Sequence, residues 1–532
     1  MTKANEASGE AFTELVDLAA ERLGGSVLWA TDDFFASKDN LLTLEEAIFI
    51  DGKYTDCGKW MDGWESRRKR EYAESTLAYP SHDWCIVRLG LPGIVRGVVV
   101  DTAFFKGNYP KSCSLEGASI AGHPALKTLL SDEIRWTEIL PRLDLNGDSK
   151  NLFPVSAAQR FTHLRFHIHP DGGVARLRVH GDVVPEARWL GGRARPQLVD
   201  LSAAEHVALV VACNDMFFGS RHNLIMPGRG VNMGDGWETK RSRRPGPDWV
   251  VVRLATEGVI ERAVVDTLHF KGNAPDACAI EIVRRSRDDA GANPDGANDA
   301  AWRSLLARTA LQPHTNHVFE DELDASAGPA THVRLRIWPD GGVSRLRLFG
   351  VATDEGRECA GMRYVRAMPE PELEAALRSC CGSSAWVRAT AQERKVNERS
   401  FINLEALKKR ANELWAAATP AECDEAFNAH PRIGEEKAEA AQSKTAQAWS
   451  SGEQSKMSDA SDSLKAELQA VNRAYEAKFG RIYIVCATGK SAEEMLAIAK
   501  ERMQNDPDTE LKRAAEEQRK ITELRLEKLV LR

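Results

Sequence analysis

The chain says most of its first two-thirds twice. DGWE, then DW ahead of alternating apolar residues, VVDT, FKGN and PDGGV follow one another from residue 62 to about 183, and again from residue 235 to about 351. The first copy has Asp62–Glu65, Asp83 with Trp84, Asp101 with Thr102, Phe105–Asn108 and Pro170–Val174. The second has Asp235–Glu238, Asp248 with Trp249, Asp266 with Thr267, Phe270–Asn273 and Pro339–Val343. The offset between copies drifts slightly from landmark to landmark, so insertions fall between the motifs and not inside them. A period this long describes two copies of a whole domain, unlike a solenoid, whose repeats run to roughly 20–50 residues.

Within each copy, segments such as CIVRLGLPGIVRGVVVDTAFF, WVVVRLATEGVIERAVVDTLHF, THLRFHIHP and THVRLRIWP alternate apolar and polar residues at period two. Gly, Pro, Asn and Asp clusters separate them, which predicts strands and turns. PDGG supplies a proline-set φ followed by residues that tolerate φ > 0, and predicts a tight hairpin between paired strands. One helix is expected ahead of the first copy, with Phe12, Leu15, Val16 and Leu18–Ala20 on its apolar face. Residues 288–300, DDAGANPDGANDA, compose a solvated loop. Beyond about residue 355 the texture turns to Ala, Glu, Lys, Leu and Gln at helical spacing, interrupted by one β-like run, RIYIVCA (481–487). The expected architecture is two tandem antiparallel β-sandwich repeats, 10–190 and 198–367, followed by an all-α domain, 370–532.

A length of 532 residues with 43% hydrophobic and 28% charged residues suits about three soluble domains. A net charge of −7, with no Lys/Arg tract interleaved with aromatics, argues against nucleic acid as a partner. The opening MTKANEASGEAF has no apolar core of signal length, and no run reaches the roughly 20 apolar residues of a membrane span. Ten cysteines without a C-x-x-C pair fit reduced thiols in the cytoplasm.

The repeated polar residues are the first place to look for chemistry. Asp62 and Glu65 flank Trp64 in a Gly-Trp turn, Asp101 ends a β-run, and Lys106 and Asn108 belong to FKGN. A carboxylate, an ammonium and an amide together suit a small anionic, amide-rich ligand: Lys pairs with carboxylate, Asn matches a urea-like group, and a shifted carboxyl moves protons. The same residues also serve as turns and strand-end acceptors, and both readings stand on the residues alone. Arg67, Arg68 and Arg70 offer forked donors for a carboxylate, or simply a solvated face. His167 and His169 share a strand face, yet the second copy has Arg336 and Trp338 there, so no metal is assigned.

The runs ATDDFFASKDNLL (30–42), DGKYTDCGKWMDGWESRRKR (51–70), HDWCIVRLG and VVVDTAFFKGN closely resemble allantoicase, over roughly residues 10–367. That resemblance implies two jelly-roll-like sandwiches and hydrolysis of allantoate to ureidoglycolate and urea. Asp101, Lys106 and Glu65 are then the candidate catalytic residues, with Asn108, Asp62, Trp64 and Arg67 in binding roles. Glu238, Asp266, Lys271 and Asn273 of the second copy would form a second site, complete the first, or be structural.

In the C-terminal third, NAHPRIGEE, SSGEQ, YEAKFGRIYIVCATGKS, ERMQND and ITELRLEKLV occur in order. GKS (489–491) is no P-loop, because Ile484 stands where the first glycine is required. Order and spacing over about residues 370–532 resemble OHCU decarboxylase, which converts 2-oxo-4-hydroxy-4-carboxy-5-ureidoimidazoline to (S)-allantoin. Carried over by position, His430 matches the catalytic histidine, with Glu453 beside it. Pro431, Ser450, Gln454, the run Tyr483, Ile484, Val485, Cys486 and Ala487, and Arg525 match the substrate-binding positions. The resemblances together imply a bifunctional enzyme of ureide catabolism, acting on small ureides without a cofactor, and a homo-oligomer. Metal dependence of the allantoicase half is left open. The alternative makes only the decarboxylase catalytic and the β-repeats a binding or assembly module.

Overall fold

The computed structural model describes residues 12–69, 82–191, 196–243, 245–285, 301–432, 445, 447, 449–450 and 461–531. It divides into two compact units, Met1–Gly356 and Arg357–Arg532.

Each repeat of the first unit is organised on one strand of 19 residues, Asp83–Asp101 or Asp248–Asp266. The first half of Asp83–Asp101 pairs with Ser26–Ala30 and Phe161–His169, and the second half with Arg176–Val183 and Lys150–Pro154, all antiparallel. Ser112–Ala118 and Thr137–Asp144 extend the first sheet, and Val16–Asp17 edges the second. The two ladders meet at Gly93, which lies opposite both Phe161 and Val183. Gly258 does the same in repeat two, opposite Ala330 and Ala352. The long strand thus passes from one sheet of a sandwich to the other. Side chains of both halves, among them Val87, Leu89, Val98 and Val100, enter one core with Leu164, Phe166, Leu177 and Val179. Repeat two builds its own equivalent core.

This layout corrects the expected PDGG hairpin. Phe161–His169 and Arg176–Val183 do not pair with each other but with opposite halves of the long strand. PDGG carries the chain between sheets, and although Gly172 and Gly341 do take φ of 134° and 127°, a turn's chemistry does not say which strands it joins. The expected N-terminal helix is also replaced, by a single 3-10 turn at Phe12–Glu14 and a strand at Val16–Asp17. Val16 and Asp17 pair with Gly181 and His180, and that sheet edge outweighs a helical spacing of apolar residues.

The motifs FKGN, PDGGV and DGWE recur because they form one corner. The Phe105 ring lies so close to Gly173 that a Cβ there would sit 1.9 Å from its Cε1, and Phe270 meets Gly342 at the same 1.9 Å. Gly173 N–H donates to the Asn108 carbonyl at 2.7 Å, and Gly173–Val174 pairs with Trp64–Glu65. The loop 288–300 lies outside the described residues.

The second unit is helical: Glu370–Cys380, Ser384–Val396, Leu404–Ala416, Pro420–Asn428, Asp462–Phe479, Ala492–Arg502 and Pro507–Val530. The helix Asp354–Ala367, placed by the sequence at the end of repeat two, begins three residues before the division at Gly356 and runs on into this unit. Capping boxes, Thr419 with Glu422 and Ser491 with Glu494, satisfy the first N–H groups of two helices. RIYIVCA is no strand. It runs buried and unladdered, with Glu517 Oε2 accepting from Cys486 N–H at 2.9 Å and Arg502 Nη1 donating to the Ile484 carbonyl at 2.6 Å. No helix among the described residues is long and apolar enough to cross a membrane.

The corner makes a stability prediction. Gly173→Ala forces a methyl into the Phe105 ring, an overpacking expected to cost about 1–3 kcal/mol; a melting midpoint unchanged by the substitution would contradict this packing.

Candidate functional site

The duplication allows each polar contact of one repeat to be compared with its counterpart in the other. Trp64 and Trp237 are fully buried, each donating its indole N–H at 2.8 Å, to the carbonyls of Asp32 and Asp215. Asn108 donates to Glu65 at 2.7 Å and Asn273 to Glu238 at 2.6 Å. Asp62 pairs with Arg176 at 2.9 Å and Asp235 with Arg345 at 2.8 Å. These residues were candidates for binding and catalysis, and in both repeats they make the same contacts between loops and strands. Burial raises the Glu65 carboxyl above its ordinary range, against the opposing hydrogen bond from Asn108.

Lys106 is not brought to Asp101. It follows the anchored Phe105 on the outside of the turn, 78% exposed and 3.7 Å from Asp148, and Lys271 is likewise exposed. Arg67 is 60% exposed, bonded to Asp32 at 2.6 Å and set over the Phe34 ring. Arg68 is exposed, and Arg70 lies outside the described residues. His167 and His169 gather with His82, whose Nε2 lies 2.9 Å from His167 Nδ1; Glu116 takes the far side of His167 at 2.9 Å. Burial lowers the pKa of all three imidazoles. Among the described residues no group of three or more His, Cys, Asp or Glu side chains is arranged to hold a metal ion.

Asp101 faces a cleft of about 520 Å³ between the repeats. Repeat one lines it with Asp101, Lys150, Arg176, Arg178, His180 and Glu46, and repeat two with Ser220, His222, Asn223, Ile225 and Met226. Register explains the charge: Arg176 and Lys150 stand opposite Asp101 on the two strands flanking it. Asp101 is 3% exposed and accepts from Ala103 N–H at 2.8 Å. Burial raises its carboxyl above the usual carboxylate range and Glu46 adds to that, while Lys150 and Arg176 oppose it. Glu46 and Lys150 pair at 2.8 Å on the rim. Arg178 reaches the carbonyls of Thr43 and Leu44 at 2.6 and 3.0 Å, and burial lowers its pKa. Sequence reasoning missed Arg176, Arg178, Lys150, His180 and His222. The available signal was RLRVHG matched by RLRLFG, arginines alternating along a strand otherwise read for its apolar residues.

At the matching places repeat two differs. Asn316, not a lysine, stands opposite Asp266, and Phe349 takes the place of His180. Arg229, at the position of Glu46, turns onto Asp266 at 3.4 Å.

In the helical unit, a recess is lined by His430, Pro431, Ser450, Tyr483, Ile484, Val485, Ala487, Thr488, Ile521 and Leu524. Residues far apart in sequence and singled out together are thus adjacent. Arg525, 3% exposed, stands behind Ser450, donating to its Oγ at 2.9 Å and to the Ser379 carbonyl at 3.3 Å. Cys486 is not among the residues that line the recess, and its N–H donates to Glu517 at 2.9 Å. Glu453 and Gln454 lie outside the described residues.

The family model described as Allantoicase repeat matches residues 16–184 and 199–353, and that for OHCU decarboxylase matches 366–527. A probable allantoicase 1 of Burkholderia mallei is 48% identical over 343 residues, covering 63% of this chain and 94% of that protein. A probable allantoicase of Stutzerimonas stutzeri is 48% identical over 342 residues, covering 64% and 97%. The crystal structure of allantoicase from Saccharomyces cerevisiae, 34% identical, covers 66% of this chain and 98% of that one at a TM-score of 0.53. The chain belongs to the allantoicase family, with its two allantoicase repeats followed by an OHCU decarboxylase domain.

Proposed function

We propose that the chain hydrolyses allantoate to ureidoglycolate and urea in the cleft at Asp101, and decarboxylates 2-oxo-4-hydroxy-4-carboxy-5-ureidoimidazoline to (S)-allantoin in the recess at His430. The observation that carries the first half is a buried carboxyl with a raised pKa, set among cationic side chains in a cleft of ligand size. Allantoate has one carboxylate and two ureido groups on one carbon. Lys150 and Arg178 hold the carboxylate, and Asp101, whose carboxyl burial makes easier to protonate, gives its proton to the departing urea nitrogen. Asn223 matches a ureido group by donating and accepting at once. The binding-module alternative has nothing in its favour beyond the sandwich fold.

For the second reaction, loss of CO₂ leaves an electron pair that the substrate's own conjugated carbon–nitrogen skeleton delocalises, so the reading includes no cofactor. His430 moves the proton on the reacting face. Ser450, oriented by Arg525, and the backbone of the run at Tyr483 fix the ring. The ten free cysteines support a reducing, cytoplasmic setting.

Urea release from allantoate by the full chain tests the first assignment. Asp101→Asn should lower kcat about 10²-fold or more. In the wild type the acid must be protonated, so kcat falls as pH rises through the raised Asp101 pKa. Glu46→Gln removes a charge that raises this pKa, and should move that alkaline limb to lower pH; an unmoved limb would assign the titration to another group. For the second site, His430→Ala should reduce decarboxylation by about 10²-fold or more, with urea release unchanged.

A further inference from the structure

The repeat-two segment Ser220–Met226 reaches into the repeat-one cleft, and its own fold does not ask for what it carries. In both repeats this segment is a short 3-10 turn capped by a serine, Ser37 over Lys38–Leu42 and Ser220 over Arg221–Ile225. The residue whose N–H meets the capping hydroxyl is Asp39 in one and His222 in the other. Asp39 is 70% exposed and pairs only locally with Lys38 and Ser37. His222 lines the cleft that holds Asp101. Its Nε2 lies 3.3 Å from Glu14 Oε2, and Glu14 is itself held by Arg221. A carboxylate only accepts, so this contact places the ring proton on Nε2 and leaves the Nδ1 lone pair as a base. Among the described residues Nδ1 has no hydrogen-bond partner. Burial and the Arg221 charge lower its pKa and so favour the neutral ring, while Glu14 opposes them by raising it.

We propose that His222 is the general base of allantoate hydrolysis, so that repeat two completes the site of repeat one and the chain carries a single composite allantoicase site. This rests on the reading of the Asp101 cleft as that site. Water adds its oxygen to the substituted carbon and gives a proton to His222 Nδ1. The carbon–nitrogen bond breaks toward the leaving urea, whose nitrogen takes the Asp101 proton. The two residues return to their starting states by one proton passing from imidazolium to carboxylate through solvent. Glu14 is a positioning residue for the ring. Among the described residues repeat two does not repeat this arrangement: Arg229 pairs with Asp266 at 3.4 Å, Asn316 replaces the lysine, and Phe349 replaces His180.

The experiment is urea release by full-length His222→Asn, Asp101→Asn and Asp266→Asn, with decarboxylation by the same chains and thermal melting as controls of folding. His222→Asn should lower kcat about 10²-fold with KM changed far less, and leave decarboxylation intact. Asp266→Asn should keep full urea release. His222→Asn with near-normal kcat beside an inactive Asp101→Asn overturns the base and leaves the cleft standing. Normal turnover in both removes the cleft assignment itself. Loss in Asp266→Asn equal to that in Asp101→Asn overturns the single site. Should His222→Asn melt early, Glu14→Gln decides: kcat lowered about tenfold with an acid limb displaced supports the dyad, and unchanged kcat overturns it.

Discussion

Phe105 packed on Gly173, and Phe270 on Gly342, is the contact around which each repeat closes. A ring lying where any other residue would carry a Cβ fixes FKGN to PDGGV within van der Waals distance. The strand Gly173–Val174 then pairs with Trp64–Glu65, which delivers DGWE to the same corner. From there the chain enters Arg176–Val183 with its register set, so that Arg176 stands opposite Asp101 and also reaches Asp62. The buried acid, its flanking cations and the loop over them all inherit their positions from this one close approach.

The sandwich repeats and the helical third were legible because periodicity and duplication are local signals. The meaning of the motifs was not. Glu65, Asn108, Asp62 and Trp64 are among the residues most visible in the repeat, and both sandwiches place them at the same corner. Lys106 was chosen for its charge, but a turn that buries Phe105 turns its neighbour outward. Arg176 and Arg178 were hidden inside a pattern read as strand alternation, and only the two ladders on the long strand show that they flank Asp101. PDGG was a correct turn given the wrong strands, since one 19-residue strand serving two sheets leaves no local trace. His222 could not be read at all, because its place depends on how one repeat docks on the other.

In the helical unit His430, Pro431, Ser450 and the run 483–487 were singled out by resemblance to the decarboxylase family, and all but Cys486 converge on one recess. What the sequence read as a strand is a buried extended segment with no partner strand. Its backbone would be left unsatisfied in an apolar core, and Glu517 and Arg502 fill that need. Arg502 is in turn held by buried Glu510, which also binds Tyr475. Buried ionic groups are costly to install, but side chains engage chosen backbone groups one at a time. A sheet would have consumed the whole edge, including the groups that line the recess.

The docking of the two repeats carries its own consequence. Arg22 binds Asp235 at 2.7 Å, Arg221 binds Glu14, and Trp189 stacks on His206 at 4.0 Å. These contacts do what a lid does in an enzyme with a mobile loop, except that here the cover is a whole folded domain. Duplication ordinarily leaves a spare copy free to decay. In this chain the second copy walls the cavity that holds Asp101, so the scaffold keeps the symmetry of the duplication where the residues facing that cavity do not.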